Sequence, residues 1–180
     1  MPYVLKTAGV ITTGNEVLKG RIKDTFTPVI VEKLAEYGIK TEQHAMPGDD
    51  TDTITKMILK MANDGVDFIL CTGGMSVDPD DKTPLAIKNT GADIVSYGAP
   101  VLPGAMFLLA YLKCGEKKIP VVGLPGCVMY AKRTIFDLVL PRLAAGDTIM
   151  ADDLYGLGEG GLCLNCPVCT YPNCGFGKGR

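Results

Sequence analysis

The sequence predicts an α/β domain built on a mostly parallel sheet. Three observations carry that prediction. Apolar runs of strand length alternate with helical patterns up to about Gly146, the run Val66 to Thr72 is nearly all apolar, as a strand covered on both faces must be, and several runs end in glycine-rich loops.

The elements follow in order. Ala8 to Ile11 is the first buried run, ending at Thr12-Thr13-Gly14. Thr27 is expected to cap a helix with Pro28 at its first position, Ile30, Val31, Leu34 and Tyr37 on one face, and Gly38 as its stop. Thr41 to Met46 reads as a second strand, and Pro47-Gly48-Asp49-Asp50 turns it into a helix with Ile54, Met57, Ile58 and Met61 at helical spacing. After the third strand, Val66 to Thr72, the chain passes Gly73-Gly74 and an acidic loop. Thr83 and Pro84 then open a helix with Leu85 and Ile87 inside and Gly91 beyond its end. Ile94 to Tyr97 is a further strand, and Met106 to Leu112 is read as a strand paired with Ile119 to Leu124 across Cys114-Gly115-Glu116-Lys117. From Pro125-Gly126 a long amphipathic helix is expected over roughly Val128 to Ala144, with Val128, Ala131, Ile135, Leu138 and Val139 facing in. The division that results is a domain over 1–146, a linker over 147–155 and a glycine-rich, cysteine-rich tail over 156–180.

Composition narrows the function classes. A chain of 180 residues with 47% hydrophobic residues can bury a real core, which excludes disorder over most of its length. Eighteen Lys plus Arg against twenty Asp plus Glu leave a formal charge of -2, so no nucleic-acid partner is expected. The apolar stretch Ala105 to Leu112 falls well short of the ~20 residues of a membrane span, and the opening Met-Pro-Tyr-Val-Leu-Lys is no secretory leader, so a cytoplasmic protein with no membrane partner is expected.

In an open parallel sheet, ligands settle outside the carboxyl ends of the strands. Four such loops stand out: Thr12 to Glu16, Pro47 to Asp50, Thr72 to Asp81, and Leu124-Pro125-Gly126. Gly73 and Gly74 remove side chains where a phosphate could approach the backbone, and Ser76 adds a hydroxyl donor. Asp78, Asp80 and Asp81 would repel a bare anion, which suggests Mg²⁺ bridging carboxylate and phosphate. The alternative is a solvated acidic loop that caps a helix.

Thr13-Gly14-Asn15-Glu16, Gly20 to Thr25, Gly48-Asp49-Asp50, Thr72-Gly73-Gly74-x-Ser76-x4-Asp81 and Gly123-Leu124-Pro125-Gly126 resemble, in that order, the molybdopterin-binding domain of the MogA, MoaB and MoeA proteins. The likeness spans residues 4 to about 145 and is strongest to the molybdotransferase domain of MoeA, through Thr-Gly-Asn-Glu, Gly-Gly-x-Ser and Leu140-Pro141-Arg142-Leu143. It implies a three-layer α/β/α domain that often forms homotrimers and acts in molybdenum-cofactor biosynthesis. The ligand or substrate would be molybdopterin or its adenylate. By the resemblance, Asp49 or Asp50 with Asp81 take the acidic roles that support Mg²⁺-dependent adenylyl transfer or molybdate insertion. Thr13, Gly14, Glu16, Asp24, Gly73, Gly74, Ser76, Pro125 and Gly126 form the pterin and phosphate site.

Departures from the family pattern are Asp78 where Gly is usual, Cys127-Val128-Met129-Tyr130 after Pro125-Gly126, and Phe26 where MoeA-type proteins tend to have Asn. They raise the alternative of a carrier or sensor that holds the cofactor without turnover. The CinA-type domain, whose proteins are nucleotide pyrophosphatases, shares the fold and has a Gly-Gly loop followed by Asp-Asp, which Asp80-Asp81 resembles.

Of seven cysteines, Cys163, Cys166, Cys169 and Cys174 crowd into twelve residues, spaced x2, x2 and x4. Four thiolates are the number that tetrahedral zinc or an iron-sulfur cluster needs, and the tail is expected to fold around one such centre independently of the core. His44, the one histidine, is expected to pack or face solvent. Cys127 stands near an expected helix N-terminus, without a second histidine to act as its base.

Overall fold

The computed structural model describes residues 2–15, 24–76 and 81–178. Its strands are β1 (Thr7–Thr12), β2 (Lys40–Ala45), β3 (Phe68–Thr72), β4 (Asp93–Tyr97), β5 (Leu108–Cys114) and β6 (Lys117–Leu124). They form one sheet in the order β2-β1-β3-β6-β5-β4, in which β5 alone runs against the others. The helices are α1 (Phe26–Ala35), α2 (Thr51–Asn63), α3 (Thr83–Asn89), α4 (Ile135–Ala144) and α5 (Ala151–Gly156).

Side chains alternate across the sheet, so each face builds its own core. Val10, Leu70 and Val122 point to the face covered by Ile30 and Leu34 of α1 and by Phe136, Val139 and Leu140 of α4. Ile11, Ile69, Cys71 and Val121 point to the other, under Ile54 and Ile58 of α2 and Ala86 and Ile87 of α3. The three-layer α/β architecture is therefore present, and the expected hairpin joins β5 to β6 with Cys114 opposite Lys117.

Several boundaries differ from expectation for identifiable reasons. Helix α1 begins at Phe26, two residues before Pro28 would have placed it, because the Asp24 carboxylate accepts from the amides of Phe26 and Thr27 at 2.9 and 3.0 Å. Leu85 is half exposed, and the inward positions of α3 are Ala86 and Ile87. The expected long helix is broken into a 3-10 turn over Gly126–Met129 and α4. The break is made by Thr134, whose hydroxyl accepts from the Phe136 amide, while Asp137 accepts from the Thr134 amide at 2.8 Å.

Asp137 also pairs with Lys33 of α1 at 2.5 Å and with Arg133 at 2.8 Å, and it is 4% exposed. Residues 147–155, expected as a linker, hold all but the last residue of helix α5 and bury Ile149 and Leu154 completely or nearly so. The tail is not independent of the core either. Phe176 is 3% exposed within the α1 and α4 layer, and the Tyr171 hydroxyl donates to the Asp137 carbonyl at 2.8 Å.

Two stability predictions follow from these contacts. Asp137→Ala leaves Lys33 buried without its partner and removes a cap, and should cost about 3–5 kcal/mol in urea unfolding. Phe176→Ala should cost about 3 kcal/mol, whereas a tail folded apart from the core would leave the unfolding midpoint unchanged.

Candidate functional site

Three central strands end side by side. Thr12 pairs with Thr72, and Thr72 with Leu124, so the loops after β1, β3 and β6 leave the sheet at one level. The order of the strands reverses at β1 and β3, since β2 lies on one side and β3 on the other, and crevices form at such points. Gly73, Gly74, Ser76 and Asp81 meet Pro125 and Gly126 there around a cavity of about 350 Å³. Six of the residues expected at the site are thus brought together.

The glycine loop is fastened from behind by two buried threonines. The Thr13 hydroxyl donates to the Thr72 carbonyl at 3.1 Å, and the Thr83 hydroxyl donates to the Gly73 carbonyl at 2.8 Å. Gly73 has φ +81°, and a Cβ there would stand 2.5 Å from the Thr13 carbonyl oxygen. Its lack of a side chain is therefore demanded by loop packing, and Thr13 acts by positioning the loop. Gly14, with φ 131°, turns the chain just after it. At Gly74 a Cβ would meet the Thr83 hydroxyl at 3.0 Å, so a larger residue disturbs the fold as well as the cavity. Gly126 differs, since a Cβ there meets nothing within 4 Å.

The carboxylates divide by role. Asp81 lines the cavity and accepts from the Ser76 amide at 2.6 Å. Asp49 accepts from the Asn15 amide at 3.0 Å, tying the second loop to the first. Asp50 is the cap of α2, and the Thr53 hydroxyl and amide hold its carboxyl below the usual range. Asp24 caps α1 and donates nothing to the cavity wall. Glu16, Asp78 and Asp80 lie outside the described residues. Among the described residues no three His, Cys, Asp or Glu side chains converge as a metal-ligand set.

The rest of the wall is apolar and was not expected. Phe26, Met75, Met106 and Met129 complete the cavity, and the Thr25 hydroxyl contacts the Met129 sulfur at 2.9 Å. Methionine pattern in a sequence reads as ordinary core; only the meeting of four separate segments shows these side chains lining one space. His44 is neither free nor merely packed. Its Nε2 lies 3.0 Å from the Thr27 hydroxyl, 3.3 Å from that of Thr12 and 3.6 Å from the Asp24 carboxylate. At Cys127, burial pushes the thiol up, opposite to an activated nucleophile.

The tail cysteines line a second cavity, also about 350 Å³, with Lys132 and Arg133 in its wall. Cys163 and Cys174 are partly buried against the core, while Cys166 and Cys169 are exposed. The Tyr171 amide and the Arg133 guanidinium hold the Cys169 thiol below its ordinary range, despite an opposing contribution from desolvation.

The family described as "probable molybdopterin binding domain" matches residues 9–145. The chain belongs to this family. As a molybdopterin-binding-type domain it is similar in fold to the tungsten cofactor synthesizing protein MoaB of Pyrococcus furiosus, at 19% identity with a TM-score of 0.61 over 78% of this chain and 98% of that one. It is likewise similar to the CinA protein, of unknown function, from Thermoplasma acidophilum, at 25% identity and a TM-score of 0.54 over 68% and 89% of the two chains. Among curated proteins, the CinA-like protein of Mycobacterium avium (strain 104) is 37% identical over 76 residues, which are 42% of this chain and 18% of that protein. The chain thus matches under a fifth of the length of that relative. No helix among the described residues is long and apolar enough to cross a membrane.

If Asp50 acts as a cap and not as an acid in the crevice, Asp50→Ala should lower the melting temperature at neutral pH and leave ligand affinity alone. The folded-state carboxyl is shifted down, so its stabilisation is present above the unfolded value and fades as pH falls through the folded one. The gap between wild type and variant in calorimetric scans should therefore be widest near neutrality and narrow in acid.

Proposed function

We propose that the crevice at the ends of β1, β3 and β6 binds molybdopterin or a close relative of it, and that the chain serves molybdenum- or tungsten-cofactor biosynthesis. The observation that carries this reading is the convergence of Gly73-Gly74, Ser76, Asp81 and Pro125-Gly126 on one cavity, in a chain of the molybdopterin-binding family. The composition of the wall suits a pterin. Phe26 and three methionines offer an apolar, polarisable bed for a flat heterocycle. Asp81 would repel a phosphate, but a carboxylate matches the amino and ring N–H donors on a pterin's edge. The phosphate then falls to the main chain of Gly73-Gly74 and the Ser76 hydroxyl.

The described residues support binding and orientation. Adenylyl transfer or molybdate insertion would need acidic help beyond Asp81, and Asp49 and Asp50 are committed to holding loops and a helix end. A second reading has its own support. The identity to CinA-like proteins over 76 residues exceeds that to the MoaB structures, and a guanine-like or adenine-like base would use the same apolar bed. In that reading the ligand is a nucleotide with a pyrophosphate bond, and the chain would hydrolyse it.

Gly126→Leu discriminates cleanly, because it fills the cavity from a position where nothing stands in the way. In equilibrium titrations with molybdopterin released anaerobically from a molybdoenzyme, the variant should lose at least about tenfold in affinity, which is ~1.4 kcal/mol, with its melting temperature kept. Unchanged affinity would remove this crevice from the site. Tighter binding of a dinucleotide than of molybdopterin, with release of nucleoside monophosphate, would favour the CinA-like reading.

A further inference from the structure

We propose that Cys163, Cys166, Cys169 and Cys174 hold one thiophilic metal centre, either a zinc ion or an iron-sulfur cluster, on the far side of the segment that closes the crevice. The cysteines belong to a loop pinned at its base. The Gly161 amide donates to the Gly175 carbonyl at 2.8 Å, Gly161 bridges to Phe176, and the Cys163 amide donates to the Leu102 carbonyl at 3.1 Å. Between these points burial does little. Leu164 and Val168 are 79% and 78% exposed, while fixing each residue's backbone costs about 1–2 kcal/mol. An apolar loop that stays outside the core needs another source of order, and metal-thiolate binding supplies about 10–16 kcal/mol in small thiolate sites.

The placement of the thiols and the nearby charge agree with this. All four cysteines line one cavity. They ring it without meeting at a point. The two that stand outermost, Cys166 and Cys169, are on the exposed arc, so drawing them in disturbs no core packing. Four thiolates around Zn²⁺ or a [4Fe–4S]²⁺ core carry a net charge of about −2. Lys132 and Arg133 line the cavity, and Lys132 already grips the loop through its ammonium, which donates to the carbonyls of Cys166 and Pro167 at 2.7 and 3.0 Å. Arg133 is balanced by Asp137 at 2.8 Å and Glu36 at 3.8 Å, and Asp137 also takes Lys33, so the positive charge offered to the thiolates is chiefly that of Lys132. On binding, four S–H bonds release their protons to solvent and four metal–sulfur bonds form, with no change in the oxidation state of sulfur.

The test uses the full chain, purified without oxygen, and its metal-stripped form supplied with Zn²⁺ alone or with ferrous and ferric iron in equal amounts plus sulfide, which together balance a [4Fe–4S]²⁺ core. One zinc per chain, or about four irons with acid-labile sulfide and a visible band that dithionite bleaches, is the expected result and tells the two centres apart. Cys166→Ser/Cys169→Ser should lose at least tenfold in bound metal, while Cys114→Ser, outside the loop, keeps it. Loading should also slow alkylation of Cys163 and Cys174 and slow hydrogen exchange at the Lys132 amide, which donates to Asn165. A chain that takes up neither metal, with all four thiols alkylated as fast as in urea, overturns the proposal. So does a double variant that retains the wild-type metal content.

Discussion

One buried carboxylate, Asp137, holds the site-bearing half of this protein together. From within α4 it reaches the Thr134 amide, the Arg133 guanidinium and the Lys33 ammonium of α1. A carboxylate so enclosed survives only because every lone pair is used and two cations face it. The consequence is geometrical. By capping α4 at Thr134, Asp137 separates the segment from Gly126 to Arg133 from that helix, so that Met129 can line the crevice while Lys132 and Arg133 face the cysteine loop. The main-chain carbonyl of the same residue receives the Tyr171 hydroxyl, which fixes the tail to the same point.

The crevice depends on a second constraint, the register of β1, β3 and β6. Their aligned ends bring three loops to one level, and the loops are then locked by contacts that leave no room for side chains. Gly73 against the Thr13 carbonyl is the tightest of these. Phosphate-loop glycines are often explained by the ligand. Here the protein itself requires Gly73, and the open position is Gly126.

Much of this was legible along the chain. Val66 to Thr72 had to be a central strand, because no exposed strand can be so apolar, and the β5 and β6 hairpin was readable from its turn. That Gly73, Gly74, Ser76, Asp81, Pro125 and Gly126 would converge on one crevice was readable because strand-end loops in parallel sheets meet. The division of labour among the acids was not. Asp49, Asp50, Asp81 and Asp24 look alike as letters, and which becomes a helix cap is settled by the amides that happen to lie within 3 Å.

The sequence by itself determined the class of fold, the two-sided core, the rough place of the crevice and the crowding of four cysteines, because these rest on periodicity, glycine and spacing, which are local properties. Tertiary structure alone decided three things: that Phe26, Met75, Met106 and Met129 share a wall, that His44 meets Thr12, Thr27 and Asp24, and that Phe176 sends the tail back into the core. Each joins residues far apart in the chain, and such pairings exist only after the sheet has set which loops and faces lie next to one another.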